Sequence, residues 1–127
     1  IQQVQNSCYR FIYGIRKFEP ITYKIKECQW LNMENRRNLH LGNFTHKLII
    51  NPNPPNLADC FISRFKIHSR NIRDKSAFTM PQHRTTFFER SFIFNAIKLY
   101  NSLPGEFRAY NINKFKYKLK RFFMSRQ

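Results

Sequence analysis

At 127 residues the chain has the length of a single domain, because domains of about 100 to 150 residues are the commonest. Its formal charge of +16, from 23 Lys and Arg against 7 Asp and Glu, produces strong self-repulsion unless a polyanion neutralises it. The 14 Phe and 6 Tyr supply enough apolar surface for a core, which excludes a disordered basic tail. We expect one mainly α-helical domain, or a fragment of one, over residues 1–127, with nucleic acid as its partner.

Apolar residues recur at helical spacing near the start of the chain, at Val4, Cys8, Phe11, Ile12 and Ile15. They predict a first helix over residues 2–13, which Gly14 ends in the left-handed conformation. Pro20 fits the first turn of a short second helix that runs to residue 28. We expect this helix to bring Trp30 and Leu31 to the core.

Asn32 is a good N-cap for a third, longer helix. The core-facing residues predicted for this helix are Met33, Leu41, Phe44 and Leu48. The proline-rich segment 51–55 cannot continue the helix and predicts a rigid connector, followed by a short helix over residues 56–62.

Periodicity is lost over residues 63–77, where basic residues accumulate, so this segment is predicted to be a basic loop. Residues 77–80 and 84–88 are compatible with one short β-hairpin near 77–88, which Pro81 would confine to a sheet edge. Helical spacing returns over residues 91–103 and again over 111–124, where Asn111 is the predicted cap of a strongly basic last helix. About five helices are expected in all.

The chain lacks the groups that catalysis on nucleic acid requires. Polymerases and nucleases hold metal ions with clustered carboxylates, and here the only two aspartates, Asp59 and Asp74, stand far apart in sequence. The four histidines and the cysteines Cys8, Cys28 and Cys60 have no spacing typical of metal ligands. We therefore expect no catalytic residue, no metal and no cofactor in this chain.

Basic residues of the loop and the last helix are the predicted contacts to nucleic acid, because guanidinium and ammonium groups pair with phosphate oxygens. The candidates are Arg64, Arg70, Arg73, Arg84, Arg90, Lys116, Lys120 and Arg121. An equally simple interpretation is a solvated loop and a capping helix with an ordinary charged exterior. Exposed aromatic rings between these charges could stack on single-stranded bases.

Neither a membrane nor a secreted environment is indicated. No apolar run approaches the roughly 20 residues that span a bilayer, and the widely spaced, odd-numbered cysteines favour a reducing compartment. We expect an intracellular location in a nuclear or cytoplasmic ribonucleoprotein. Because the chain begins at Ile1 within a helical pattern, we also expect it to be the C-terminal part of a longer polypeptide.

Several blocks of sequence, in order, resemble the C-terminal region of reverse transcriptases from insect non-LTR retrotransposons of the jockey and LINE type. Residues 90–104, with Arg-Ser-Phe and Asn-Ser-Leu-Pro, resemble a block near the C-terminus of these enzymes, although Tyr100 stands where tryptophan is usual. Residues 1–14 resemble a helix in or just after the thumb of the enzyme. Residues 54–59, 80–85 and 112–120 are similar to further family segments.

The resemblance implies a thumb-adjacent domain of an RNA-directed DNA polymerase whose catalytic motif lies outside this chain. It predicts a non-catalytic domain that grips template RNA, DNA or an RNA-DNA hybrid beside the upstream polymerase domains. Two alternatives stay open: a structural or protein-interaction domain that docks on the polymerase core or a host factor, and a free-standing basic nucleic-acid-binding protein.

Overall fold

A computed structural model describes residues 1–67 and 76–126 of the chain, and these residues are mainly helical, which confirms the predicted fold class. The elements in chain order are α1 (Gln2–Tyr13), α2 (Thr22–Glu27), α3 (Met33–Ile50), α4 (Pro55–Ala58), α5 (Arg64–Ile67), α6 (Thr86–Glu89), α7 (Phe92–Ser102), a 3-10 helix (Gly105–Ala109) and α8 (Ile112–Ser125). The one-turn helices α5 and α6 and the 3-10 helix were not predicted.

Side-chain caps fix where α3, α7 and α8 begin. The side chains of Asn32, Ser91 and Asn111 each accept a hydrogen bond from the backbone N–H three residues later, at 2.7, 3.3 and 2.9 Å. These bonds satisfy donors that have no partner within the helix. At the other end of α1, Gly14 adopts φ 62°, as predicted.

The main core forms where α3 packs against both α7 and α8. Helix α8 runs antiparallel to α3, since the ring of His46 stacks on Phe115 early in α8 while Asn35 donates to the carbonyl of Phe123 at 3.4 Å. Gly42 lies at the closest approach, because a Cβ there would stand 2.7 Å from Cδ2 of Leu119. The other buried residues of this core are Leu31, Phe78, Ile97, Tyr100, Leu103 and Phe107.

The predicted core-facing residues of α3 are wrong in part. Leu48 is buried, but Phe44 is 47% exposed, and the other fully buried residues of the helix are Gly42, Thr45 and His46. Because α3 lies between two helices, its buried face is wide enough to include small and polar residues. Thr45 satisfies its hydroxyl within the helix by donating to the carbonyl of Leu41 at 2.8 Å.

Helix α1 forms over the predicted residues, but most of its apolar side chains do not enter a core. The predicted apolar stripe lies largely in solvent, with Phe11 89% exposed, whereas Tyr9 is buried against Ile21 and Ile25 in a second, smaller core cluster. Polar contacts select this orientation. Gln2 accepts a hydrogen bond from the backbone N–H of residue 33 at 2.9 Å, and the Gln5 amide donates to the carbonyl of residue 31 at 3.1 Å.

The predicted hairpin near 77–88 is wrong. Phe78 instead forms an isolated antiparallel bridge with Ser63, and residues 86–89 form α6, which Thr85 caps by accepting from the N–H of Phe88 at 3.4 Å. The amide of Asn101 replaces a strand partner for Phe78, donating to its carbonyl at 2.8 Å and accepting from its N–H at 2.9 Å.

Two further predictions near the ends of α2 need correction. Helix α2 begins at Thr22, so Pro20 precedes the helix rather than occupying its first turn. Leu31 is buried as predicted, but Trp30 is 45% exposed. One side of its ring packs on Tyr9 at a centroid distance of 5.0 Å, and the remainder lines a groove.

Candidate nucleic-acid interface

The basic residues of α8 that the sequence singles out lie away from its buried side. Phe115, Leu119 and Phe123 face the core. Lys116 and Lys120, which are four residues apart, therefore lie on one flank, and both are exposed. Arg121 is exposed on the outward side of the helix, opposite the buried residues, and lines one cavity together with Lys120. Helix α8 contains no acidic residue, so all of its charged side chains are positive.

A second row of basic residues runs along α3. Arg36, His40 and Lys47 are exposed and separated by four and seven residues, so they lie along one side of the helix. The only acidic residue of α3, Glu34, falls on the opposite side by the same periodicity. This row could not be predicted from the sequence, because its position beside α8 depends on the antiparallel packing.

The first part of the α3 row and the α8 row border one groove between the two helices. Arg36 and His40 line the same cavity as Lys120, with a volume of about 360 Å³. We call the surface formed by Arg36, His40, Lys47, Lys116 and Lys120 the α3/α8 face. Within the described residues, none of these five side chains forms an ion pair with a carboxylate, since the ion pairs found are Lys24 with Glu27 and His83 with Glu89. The face therefore presents uncompensated positive charge to solvent.

Exposed aromatic rings stand beside this charge. Trp30 lines the cavity of about 360 Å³, and Tyr117, which is 60% exposed, lines a neighbouring cavity of about 450 Å³. The guanidinium of Arg121 lies over the Tyr117 ring, 5.7 Å from its centroid. The two cavities share Gln29 and Lys120, so they form one groove with alternating cations and rings.

Three other predicted contact residues, Arg64, Arg84 and Arg90, line neither cavity of the groove. Arg64 begins α5 and is half-buried, and its backbone N–H donates to the carbonyl of Ala77 at 2.9 Å. The predicted loop 63–77 is thus helical at 64–67. Arg84 and Arg90 are exposed on either side of α6. Arg70 and Arg73 lie outside the described residues. The contacts of all five residues with nucleic acid stay predictions.

A buried hydrogen-bonded histidine fixes α3 relative to α8. Nε2 of His46 lies 2.9 Å from the carbonyl oxygen of Tyr110 and must donate to it, so Nδ1 accepts from the Tyr100 hydroxyl at 2.9 Å. The imidazole also stacks on Phe115 at a centroid distance of 3.8 Å. Burial lowers the pKa of His46 below its ordinary value, so the ring is neutral. Burial likewise raises the pKa of Tyr100 to about 12, which keeps its hydroxyl protonated.

Comparison of the chain with models of known protein families, with curated proteins and with solved structures finds no match. In the part of the chain that the structure describes, no three His, Cys, Asp or Glu side chains come together in a way that could hold a metal ion. No helix among the described residues is long and apolar enough to cross a membrane.

Proposed function

We propose that this domain binds nucleic acid without catalysing a reaction, through sequence-independent contacts between phosphates and the α3/α8 face. The observation that carries the proposal is the meeting of two acid-free basic rows from helices that are distant in sequence. Phosphate contacts of this kind supply affinity and orientation but carry no sequence information. The net charge of +16 favours a polyanion as the partner.

The order of the sequence blocks suggests which larger protein the domain belongs to. We propose that the domain belongs to an RNA-directed DNA polymerase of the non-LTR retrotransposon type and holds template RNA or an RNA-DNA hybrid beside the polymerase domains. In this role it positions the nucleic acid, while catalytic carboxylates outside this chain perform the reaction.

Fluorescence anisotropy of the purified chain with labelled single-stranded RNA, single-stranded DNA and RNA-DNA hybrid tests this function. If the four permanently charged residues of the face each neutralise one phosphate, log affinity should fall with log salt with a slope of about 3 on single strands. Unrelated sequences should bind with similar affinity. Affinity confined to one sequence would overturn the mechanism.

A second candidate function rests on the apolar residues that α1 leaves in solvent. Val4, Phe11 and Ile12 are exposed along one side of the helix, and a row of this kind is typical of a surface that packs against another protein. The domain would then dock on the polymerase core, and its charge would serve solubility. A folded circular dichroism spectrum together with no RNA binding at about 50 mM salt would favour this candidate over the first.

A further inference from the structure

The groove between α3 and α8, where Trp30 lies, has the composition of a site for a nucleobase and its phosphate. Its volume of about 360 Å³ lies at the small end of the range for ligand pockets, about 300 to 1,000 Å³. The partly exposed Trp30 ring forms one wall, while Arg36, His40 and Lys120 supply the polar and charged groups. A cavity of this size has room for one base.

The conformation of Gln29 gives independent support. Helix α2 ends in a Schellman motif, in which the N–H of Trp30 donates to the carbonyl of Ile25 at 3.1 Å and the N–H of Gln29 donates to that of Lys26 at 3.0 Å. Such a motif places its penultimate residue in the left-handed region, where glycine is usual. Here Gln29 occupies it with φ 53°. A side chain is thus present at an unfavourable backbone position, and it lines both cavities of the groove.

We propose that this groove binds one unpaired base of a single-stranded nucleic acid, stacked on Trp30, with Arg36 and Lys120 holding the flanking phosphates. The Gln29 amide offers both a donor and an acceptor to the edge of the base. Bases in a duplex are already stacked on their neighbours, so only a single strand can fill the site. This inference rests on the proposed function and narrows its ligand to single strands.

Trp30 is the only tryptophan of the chain, so its fluorescence reports on this site alone. Trp30 can be excited at wavelengths that tyrosine does not absorb. Its fluorescence should be quenched when a base of a short single-stranded RNA or DNA stacks on the ring. An abasic strand of equal length and inorganic polyphosphate carry the charge without the base, and should bind, as followed by competition in anisotropy, without quenching.

Three results are distinguishable. Base-dependent quenching supports the site. Binding of all polyanions with equal or no quenching overturns the base site but leaves phosphate binding intact. No binding of any strand overturns the proposed function itself.

Substitutions provide a second test. Trp30→Leu should weaken single-strand binding about 5- to 150-fold, the loss of one stacked base. Phe87→Leu removes a ring outside the groove that is even more exposed, 86% against 45% for Trp30, and should change nothing. Because Trp30 also packs on Tyr9, Gln29→Gly serves as the variant that cannot fail by unfolding, since glycine suits the left-handed position. It should raise the melting temperature and weaken single-strand binding. A stabilised variant with undiminished affinity would remove Gln29 from the site.

Discussion

The substitution His46→Phe tests whether the hydrogen bonds of the buried histidine hold α3 against α7 and against the segment that precedes α8. Phenylalanine retains a ring that can stack on Phe115, but it leaves the Tyr100 hydroxyl and the Tyr110 carbonyl without their partner. An unpaired buried polar group costs about 1 to 3 kcal/mol. Tyr100 is buried and Tyr110 is half-buried, so we expect the free energy of unfolding to fall by about 2 to 4 kcal/mol.

A double-mutant cycle with Tyr100→Phe isolates the hydrogen bond between the two side chains. Once the hydroxyl is absent, replacing His46 should cost less, and the two losses should fall short of additivity by about 1 to 2 kcal/mol. Urea unfolding followed by circular dichroism at about pH 7.5 provides the measurement. Losses that add to within about 0.5 kcal/mol would refute the inferred pairing.

The same histidine predicts how stability depends on pH. Burial lowers the pKa of His46 from its ordinary 6.5, so below that pH the unfolded chain takes up a proton that the folded chain excludes. Stability should therefore be unaffected by His46 above about pH 7 and should decline as the pH falls below about 6.5, by at most about 1.4 kcal/mol per pH unit. His46→Phe should lose this component, and equal pH dependence in both proteins would contradict a neutral buried ring.

Three predictions concern packing, each measured by urea unfolding. Gly42→Val places bulk where an added Cβ already stands 2.7 Å from the buried Leu119, so stability should fall by about 1 to 3 kcal/mol, and an unchanged value would contradict the close approach. Asn101→Leu removes two hydrogen bonds to the Phe78 backbone and should cost about 1 to 3 kcal/mol, whereas no loss would mean that water replaces them. Phe11→Ser should change stability by less than about 0.5 kcal/mol, because the ring is 89% exposed, and a larger loss would place Phe11 in a core.

Helix ends were predictable because their determinants are local. Asn32 and Asn111 cap helices through bonds to residues three positions away, and Gly14 ends α1 by its own backbone conformation. The extent of each long helix therefore followed from the sequence to within a residue or two.

The side that a helix buries depends on its neighbours and was predicted less well. The apolar stripe of α1 leaves Phe11 in solvent, because the helix is held by a hydrogen bond that Gln2 accepts and one that Gln5 donates, both with distant backbone groups. On α3, the burial of His46 depends on partners 54 and 64 residues away in the chain, which no local pattern indicates.

Some residues of the candidate site could be predicted from the sequence and others could not. Lys116 and Lys120 could be selected from the basic, acid-free sequence of α8 alone. Arg36 and His40 could not, because they join the site only through the antiparallel contact of α3 with α8. A basic surface that two helices share can be predicted only when the packing of those helices is known.

The central claim is that nucleic acid binds at the α3/α8 face and not through the total charge of the chain. Two triple variants of equal charge distinguish these explanations. One replaces Arg36, Lys116 and Lys120 by Gln, and the other replaces the exposed Arg16, Lys17 and Lys98 by Gln. For single-stranded RNA followed by anisotropy across a salt series, the first variant should lower the slope of log affinity against log salt by about 2, the contribution of three phosphate contacts. The second should keep the slope of the unmodified chain. Equal reductions in both variants would contradict binding at the α3/α8 face.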